Sequence, residues 1–166
     1  MAVQVGVGAF AAAVARHFRG PRRTRRPKLL GVEPEDAACL LESVAAGRIV
    51  SVPGPHGSIM AGLNCGRPSL VAWPTVSRGI DVLAAVDDEP AREAMRMTAA
   101  SGIVSGETGA AGLGGLLELL RGDGPGQNRE EARRVLRANR ESRVLLFNCE
   151  GATDPDAYRR VMAGSG

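Results

Sequence analysis

A three-layer α/β fold with a mostly parallel sheet is what this sequence predicts, and three observations carry that reading. Short β-prone runs alternate with helical patterns from one end of the chain to the other, the mark of strand–helix–strand units. Hydrophobic residues reach 44% while aromatics are only 3%, a composition better suited to tightly packed α/β layers than to a β-sandwich. Glycine, proline or acidic residues follow most of the strand-like runs. In parallel sheets the turns beyond the carboxyl ends of strands are where ligands bind.

The first unit is a strand over 2–5, a Gly6-Val7-Gly8 turn and an alanine-rich helix over 9–18 that Gly20-Pro21 ends. Glycine lets backbone N–H groups approach an anion. The helix behind it points its free N–H groups and the positive end of its dipole at the same place. Together they make the elementary phosphate site, although Gly-x-Gly before a helix is also a common tight turn. A basic segment follows, with Arg19, Arg22, Arg23, Arg25, Arg26 and Lys28 inside 19–28. It holds no aromatic residue to stack on bases, so a solvated loop is expected and nucleic-acid binding is not.

A buried strand is expected over 29–33. Pro34 opens a helix with Glu35 and Asp36 in its first turn and an apolar face of Ala37, Ala38, Leu40, Leu41 and Val44. A short strand at 49–52 leads to a rigid Pro/Gly loop in which His56 is structural or exposed. Ser58 is placed to cap a helix over 59–64. Residues 70–74 read as extended and 80–86 as a strand. A helix over 90–100 follows, its Met95 and Met97 read as packing residues. The helix over 110–120 carries Gly112, Gly114 and Gly115, which lower helix propensity and point to a closely approaching backbone or ligand. A loop at 122–128, a charged helix over 129–139, a buried strand over 143–148 and a helix over 155–162, with Asp154 at its N-cap, complete the chain.

Cys39, Cys65 and Cys149 are odd in number, far apart and without a Cys-x-x-Cys. A disulfide framework or zinc site is not expected, and a reducing cytoplasmic setting is. No apolar run reaches the roughly 18 residues of a membrane span, and the N-terminus does not read as a signal peptide.

Five phrases carry a family resemblance. They are Gly6-Val7-Gly8-Ala9, Val32-Glu33-Pro34, the stretch 59–66 (Ile-Met-Ala-Gly-Leu-Asn-Cys-Gly), the stretch 103–110 (Ile-Val-Ser-Gly-Glu-Thr-Gly-Ala) and the stretch 149–154 (Cys-Glu-Gly-Ala-Thr-Asp). In this order and spacing the chain resembles the C-terminal part of fold-type-II pyridoxal-phosphate enzymes of the diaminopropionate ammonia-lyase branch. The resemblance implies pyridoxal 5'-phosphate as cofactor, with its phosphate on the backbone of Gly6, Val7, Gly8 and Ala9. It implies that Glu107 lies beside the pyridine ring, with Met60, Ala61 and Gly62 near the cofactor's face. Cys149 stands where the wider family often has a serine or threonine facing the ring nitrogen. A thiol is a weak partner there and leaves that nitrogen largely unprotonated. The implied reaction is α,β-elimination of 2,3-diaminopropionate, or a related small amino acid, to pyruvate and ammonia. Read from the residues alone, Glu107 is equally a helix-capping group and Cys149 equally a small buried hydrophobe.

That chemistry also needs a lysine as Schiff-base partner and base. Lys28 is the only lysine, no family motif surrounds it, and it is expected at the wrong end of a strand, so no catalytic residue is assigned. The whole of 1–166 is read as the C-terminal portion of a lyase-like domain whose N-terminal half, with the lysine, is missing. It is expected to be inactive alone and to need that half, or a homodimeric partner. A non-catalytic anion-binding or regulatory module is the alternative. A dinucleotide site is disfavoured, because Ala11 stands where the fingerprint's third glycine belongs and Glu33 is the nearest acidic residue downstream.

Overall fold

The alternating pattern forms a parallel sheet of three strands in the order β1 (Ala2–Gln4), β2 (Leu30–Pro34) and β3 (Val82–Val86). Ala2 pairs with Leu30 and Leu30 with Val82. The computed structural model describes residues 1–20, 24, 26–121 and 127–164. Arg22, Arg23 and Arg25 of the basic segment lie outside them, as do 122–126 of the expected 122–128 loop.

Strand alternation divides the core. Val3, Val5 and Leu29 face α1 (Ala9–Arg19) and α3 (Trp73–Gly79), with Leu40 of α2 (Cys39–Ala45) joining them. Ala2, Leu30, Val32 and Val86 face the other way, onto Ala111 and Leu119 of α5 (Glu107–Leu120). Helix α4 (Asp88–Ala100) packs on α5, and α7 (Pro155–Met162) joins them through Val161. The result is the expected three layers.

The glycines of α5 explain themselves here. A Cβ on Gly112 would sit 3.3 Å from the Ala2 carbonyl oxygen, and one on Gly114 2.8 Å from that of Pro90. One on Gly115 would collide with the Val32 side chain. The close approach is to the protein's own sheet and to α4. Gly31 plays the same part on the opposite face, where a Cβ would lie 2.8 Å from Leu83.

Several elements differ from expectation. The stretch 49–52 forms no strand: Val52 N–H donates to the Gly66 carbonyl (2.8 Å) and, among the described residues, no strand pairs with it. The stretch 59–64 holds only a short 3-10 turn, Ala61–Leu63. Ser58 is drawn away, its hydroxyl donating to Asp88 Oδ1 (2.6 Å) while accepting from Met60 N–H (3.1 Å). Residues 70–74 are not extended. Pro74 sits in the first turn of α3, where its missing N–H costs nothing. Helix α5 starts at Glu107 rather than 110, and a 3-10 turn over Glu35–Ala37 precedes α2. Val44 and Met97 are exposed, while Met95 is buried.

The largest departure is 143–148. Only Leu146 bridges to Ala2, and Val144 and Leu145 are 43% and 45% exposed. The segment touches β1 on one side and meets no other strand among the described residues, so it is an exposed edge and not a buried strand. Helix α6 (Gln127–Leu136) covers part of the expected charged helix. Asp154 caps α7 as expected, accepting from Asp156 and Ala157 N–H groups (3.0 and 2.9 Å).

Candidate functional site

Beyond the carboxyl end of β1 the chain turns through Gly6, Val7 and Gly8 into α1. Gly8 is the N-cap of α1 with φ 90°, a left-handed conformation that L side chains rarely adopt. Its carbonyl accepts from Ala12 N–H (2.8 Å) and that of Val7 from Ser69 N–H (2.9 Å). Among the described residues, the N–H groups of Gly6, Val7, Gly8 and Ala9 donate to no acceptor. Gly6 also lies tight beneath the 62–65 turn: a Cβ there would be 3.1 Å from both Cys65 Sγ and the Gly62 carbonyl oxygen.

These four residues line a cleft of about 270 Å³ with Gln4, Phe10, Gly62, Thr108 and Cys149. Gly62 is tied to the opposite wall, its N–H donating to Thr108 Oγ1 (3.2 Å). Larger hollows elsewhere, such as one of about 550 Å³ along the outer edge of β3, lie away from the glycine turn.

The turn 148–151 closes the site. Glu150 reaches across to the start of α5, where its carboxylate accepts from Thr108 N–H (2.8 Å) and Gly109 N–H (3.3 Å). It caps a helix whose own N-cap, Gly106, has no side chain to do so. A Cβ on Gly109 would be 2.6 Å from Asn148 Oδ1 and 2.7 Å from the Glu150 carbonyl oxygen. Ser105, fully buried, donates to Asn148 Oδ1 (3.0 Å).

Gly6, Val7, Gly8, Ala9 and Cys149 thus meet around one cleft, while Glu107 stands at the start of α5 just outside its lining. Cys149 is exposed, which removes the reading of it as a buried hydrophobe. Glu107 does not cap α5; Glu150 does. Met60 is buried in the core and Ala61 is exposed, so of that trio Gly62 alone lines the cleft. His56 is structural, its Nδ1 lying 2.7 Å from the Asp36 carbonyl oxygen. Glu33 is buried with its carboxylate on the N–H groups of Leu40 and Leu41 (2.7 and 2.8 Å), so it caps α2. Sequence reasoning missed Gln4, and it gave Thr108 and Glu150 no role although both stand in phrases that carry the resemblance; a glutamine in an otherwise apolar strand, two positions before Gly6, was the available signal for the first.

Lys28 lies before β2, at the opposite end of the parallel sheet from the glycine turn, with its Nζ 2.8 Å from Asp81 Oδ1. Arg19 pairs with the same carboxylate. Burial would raise the Asp81 pKa, but bonds from Lys28 and the Leu29 N–H and the charge of Arg19 outweigh it and lower it. Burial pushes the Cys39 thiol up to about 12.

Unbonded N–H groups at a glycine turn that opens a helix are a general setting for anion binding. The chain belongs to the pyridoxal-phosphate dependent enzyme family, whose model matches residues 1–131. It is 33% identical to diaminopropionate ammonia-lyase of Salmonella typhimurium, over 96% of this chain and 41% of that protein. The crystal structure of diaminopropionate ammonia lyase from Escherichia coli in complex with D-serine matches with 30% identity and a TM-score of 0.79, covering 96% of this chain and 40% of that one. Maize serine racemase matches at 27% identity and a TM-score of 0.62, over 73% of this chain and 38% of that one. The chain therefore spans less than half the length of the relatives it matches.

The family's cofactor is pyridoxal phosphate. Its phosphate end fits the unbonded N–H groups and the left-handed Gly8. Among the described residues no lysine reaches the cleft.

Proposed function

We propose that this chain is the C-terminal portion of a pyridoxal-phosphate-dependent ammonia-lyase. The assembled enzyme would eliminate ammonia from 2,3-diaminopropionate or a related small amino acid and yield pyruvate. One observation carries the reading: four unbonded N–H groups at the start of α1 share a cleft with Cys149 and Thr108. Bound there, the cofactor supplies an electron sink for the carbanion formed at the substrate's α-carbon.

This chain's own residues anchor and orient. The N–H groups of Gly6, Val7, Gly8 and Ala9 hold the phosphate. Cys149 faces the ring nitrogen, and Glu107, next to Thr108 on α5, flanks the ring. Glu150 and the glycines at 106 and 109 hold α5 against the 148–151 turn, so the two walls stay in register. The base that takes the α-proton belongs to the complementary half, because Lys28 is committed to Asp81 at the far end of the sheet. The chain alone is therefore inactive. The exposed apolar edge at Val144 and Leu145 supports a docking surface for that half.

The test mixes the chain with pyridoxal 5'-phosphate, with and without the complementary N-terminal half of a relative, and follows pyruvate from 2,3-diaminopropionate. Pyruvate only in the complemented sample is expected. A borohydride-stable adduct on Lys28 would overturn the role given to the missing half. Phosphate-ester affinity with no pyruvate in either sample would favour a non-catalytic anion-binding module instead.

A further inference from the structure

Gln4 is 3% exposed, at the carboxyl end of β1, and lines the candidate cleft. A polar side chain in such a place costs free energy unless it is bonded. Its Nε2 donates to the Phe147 carbonyl oxygen (3.1 Å) and to Cys149 Sγ (2.7 Å). Its Oε1 is buried against Gly112 without a partner. The carbonyl of Phe147 can only accept, so it fixes which way the amide faces. Turning the amide over would set two oxygens against each other. The Cys149 sulfur is therefore held as an acceptor.

We propose that Gln4 is a positioning residue that acts through Cys149. By donating to the sulfur it stabilises the sulfur's electron pair and leaves the thiol hydrogen to point away from the strand, into the cleft. A residue that is intrinsically a weak donor is thereby turned into a directed one. Both the Phe147 carbonyl and the Cys149 sulfur sit on one nitrogen, so Gln4 also fixes the 147–149 backbone relative to β1. The assignment of the ring nitrogen as the group that Cys149 meets rests on the function proposed above. The Gln4–Cys149 bond itself does not.

The test reads thiol chemistry in the 166-residue chain. Alkylation of each cysteine by iodoacetamide is followed by peptide mass spectrometry across the thiol titration range, in the natural chain and in Gln4→Met. Loss of the donor to the attacking sulfur slows Cys149 alkylation about tenfold at neutral pH. Buried Cys39 is the internal control for folding. If Cys39 stays protected and the Cys149 profile does not move, the proposal is overturned.

Should Gln4→Met expose Cys39, a second measurement decides. The Gln4 side-chain amide resonances are compared between the natural chain and Cys149→Ala, which alters an exposed residue. A shift of one amide proton supports the bond; unchanged resonances overturn it. Adding pyridoxal 5'-phosphate to the natural chain then separates the two readings. Protection of Cys149 supports the cofactor at this cleft, whereas unprotected Cys149 removes the cofactor reading and leaves the alkylation profile to decide the role of Gln4.

Discussion

Gly8 shows what a single residue contributes to the site. Its φ of 90° turns the chain into α1 at a place where, among the described residues, the N–H groups of 6–9 have no acceptor. Space is not the constraint, since a Cβ there would find ordinary contacts of 3.5 to 3.6 Å with Val76 and Ala72. Conformation is. Gly8→Ala is expected to cost about 1 to 2 kcal/mol and to weaken pyridoxal phosphate binding, checked by urea denaturation and by titration of the cofactor. Gly109 is constrained by space instead. Gly109→Ala drives a methyl group into Asn148 and the Glu150 carbonyl, and about 1 to 3 kcal/mol of destabilisation in the same denaturation assay is expected. The glycine turn was legible from Gly-x-Gly before an alanine run. The partners of Gly109 were not, because they lie some forty positions downstream and only the closed fold brings them near.

At the scale of elements, two helices take their caps from remote glutamates. Glu33 caps α2, where Ala38 occupies the N-cap, and Glu150 caps α5. Local pattern reading looks for the cap next to the helix, so neither was visible, and α5 was started three residues late. Burial raises Glu33 to about 7 despite the bonds from Leu40 and Leu41 that favour its charged form. A carboxyl raised in the folded state binds more protons folded than unfolded between its two values. Its contribution is therefore full below the ordinary value of 4.5 and is lost as pH rises through about 7. Asp81 acts in the opposite sense: its lowered value gives stability above 3.8 that disappears as pH falls through the folded value. Urea midpoints measured across the interval from 4.5 to about 7 should fall in the natural chain and stay flatter in Glu33→Gln.

At the scale of the whole molecule, the sheet ends at β1, bordered among the described residues only by the single bridge from Leu146 to Ala2. Strands β1 and β2 are fully buried, whereas Val144 and Leu145 are apolar yet exposed. The composition of the 143–147 segment read as a buried strand because Val144, Leu145, Leu146 and Phe147 are what a covered strand contains. Among the described residues, Leu146 and Phe147 are packed on the core but nothing covers Val144 and Leu145. Leu145→Lys should change the stability of the chain by less than about 0.5 kcal/mol, yet prevent pyruvate formation on complementation. Unaffected complementation would place the docking surface elsewhere. Sedimentation of the chain alone tells whether a second copy takes the same edge. The layering and the parallel sheet were readable from alternation and composition. The edges were not, since a sequence pattern records what a segment prefers to bury and not whether a neighbour is present to bury it.

The glycine stripe of α5 has a consequence for how the molecule holds together over time. A helix carrying Gly112, Gly114 and Gly115 has little intrinsic tendency to form, so α5 exists because the sheet and α4 mould it. Its amide hydrogens should exchange only when the sheet itself opens, at rates matching those of β2, while the exposed helix α7 exchanges sooner. Thr108 and Gly109, at the head of that helix, would thereby share the lifetime of the sheet, and one wall of the cleft would be as long-lived as the core beneath it.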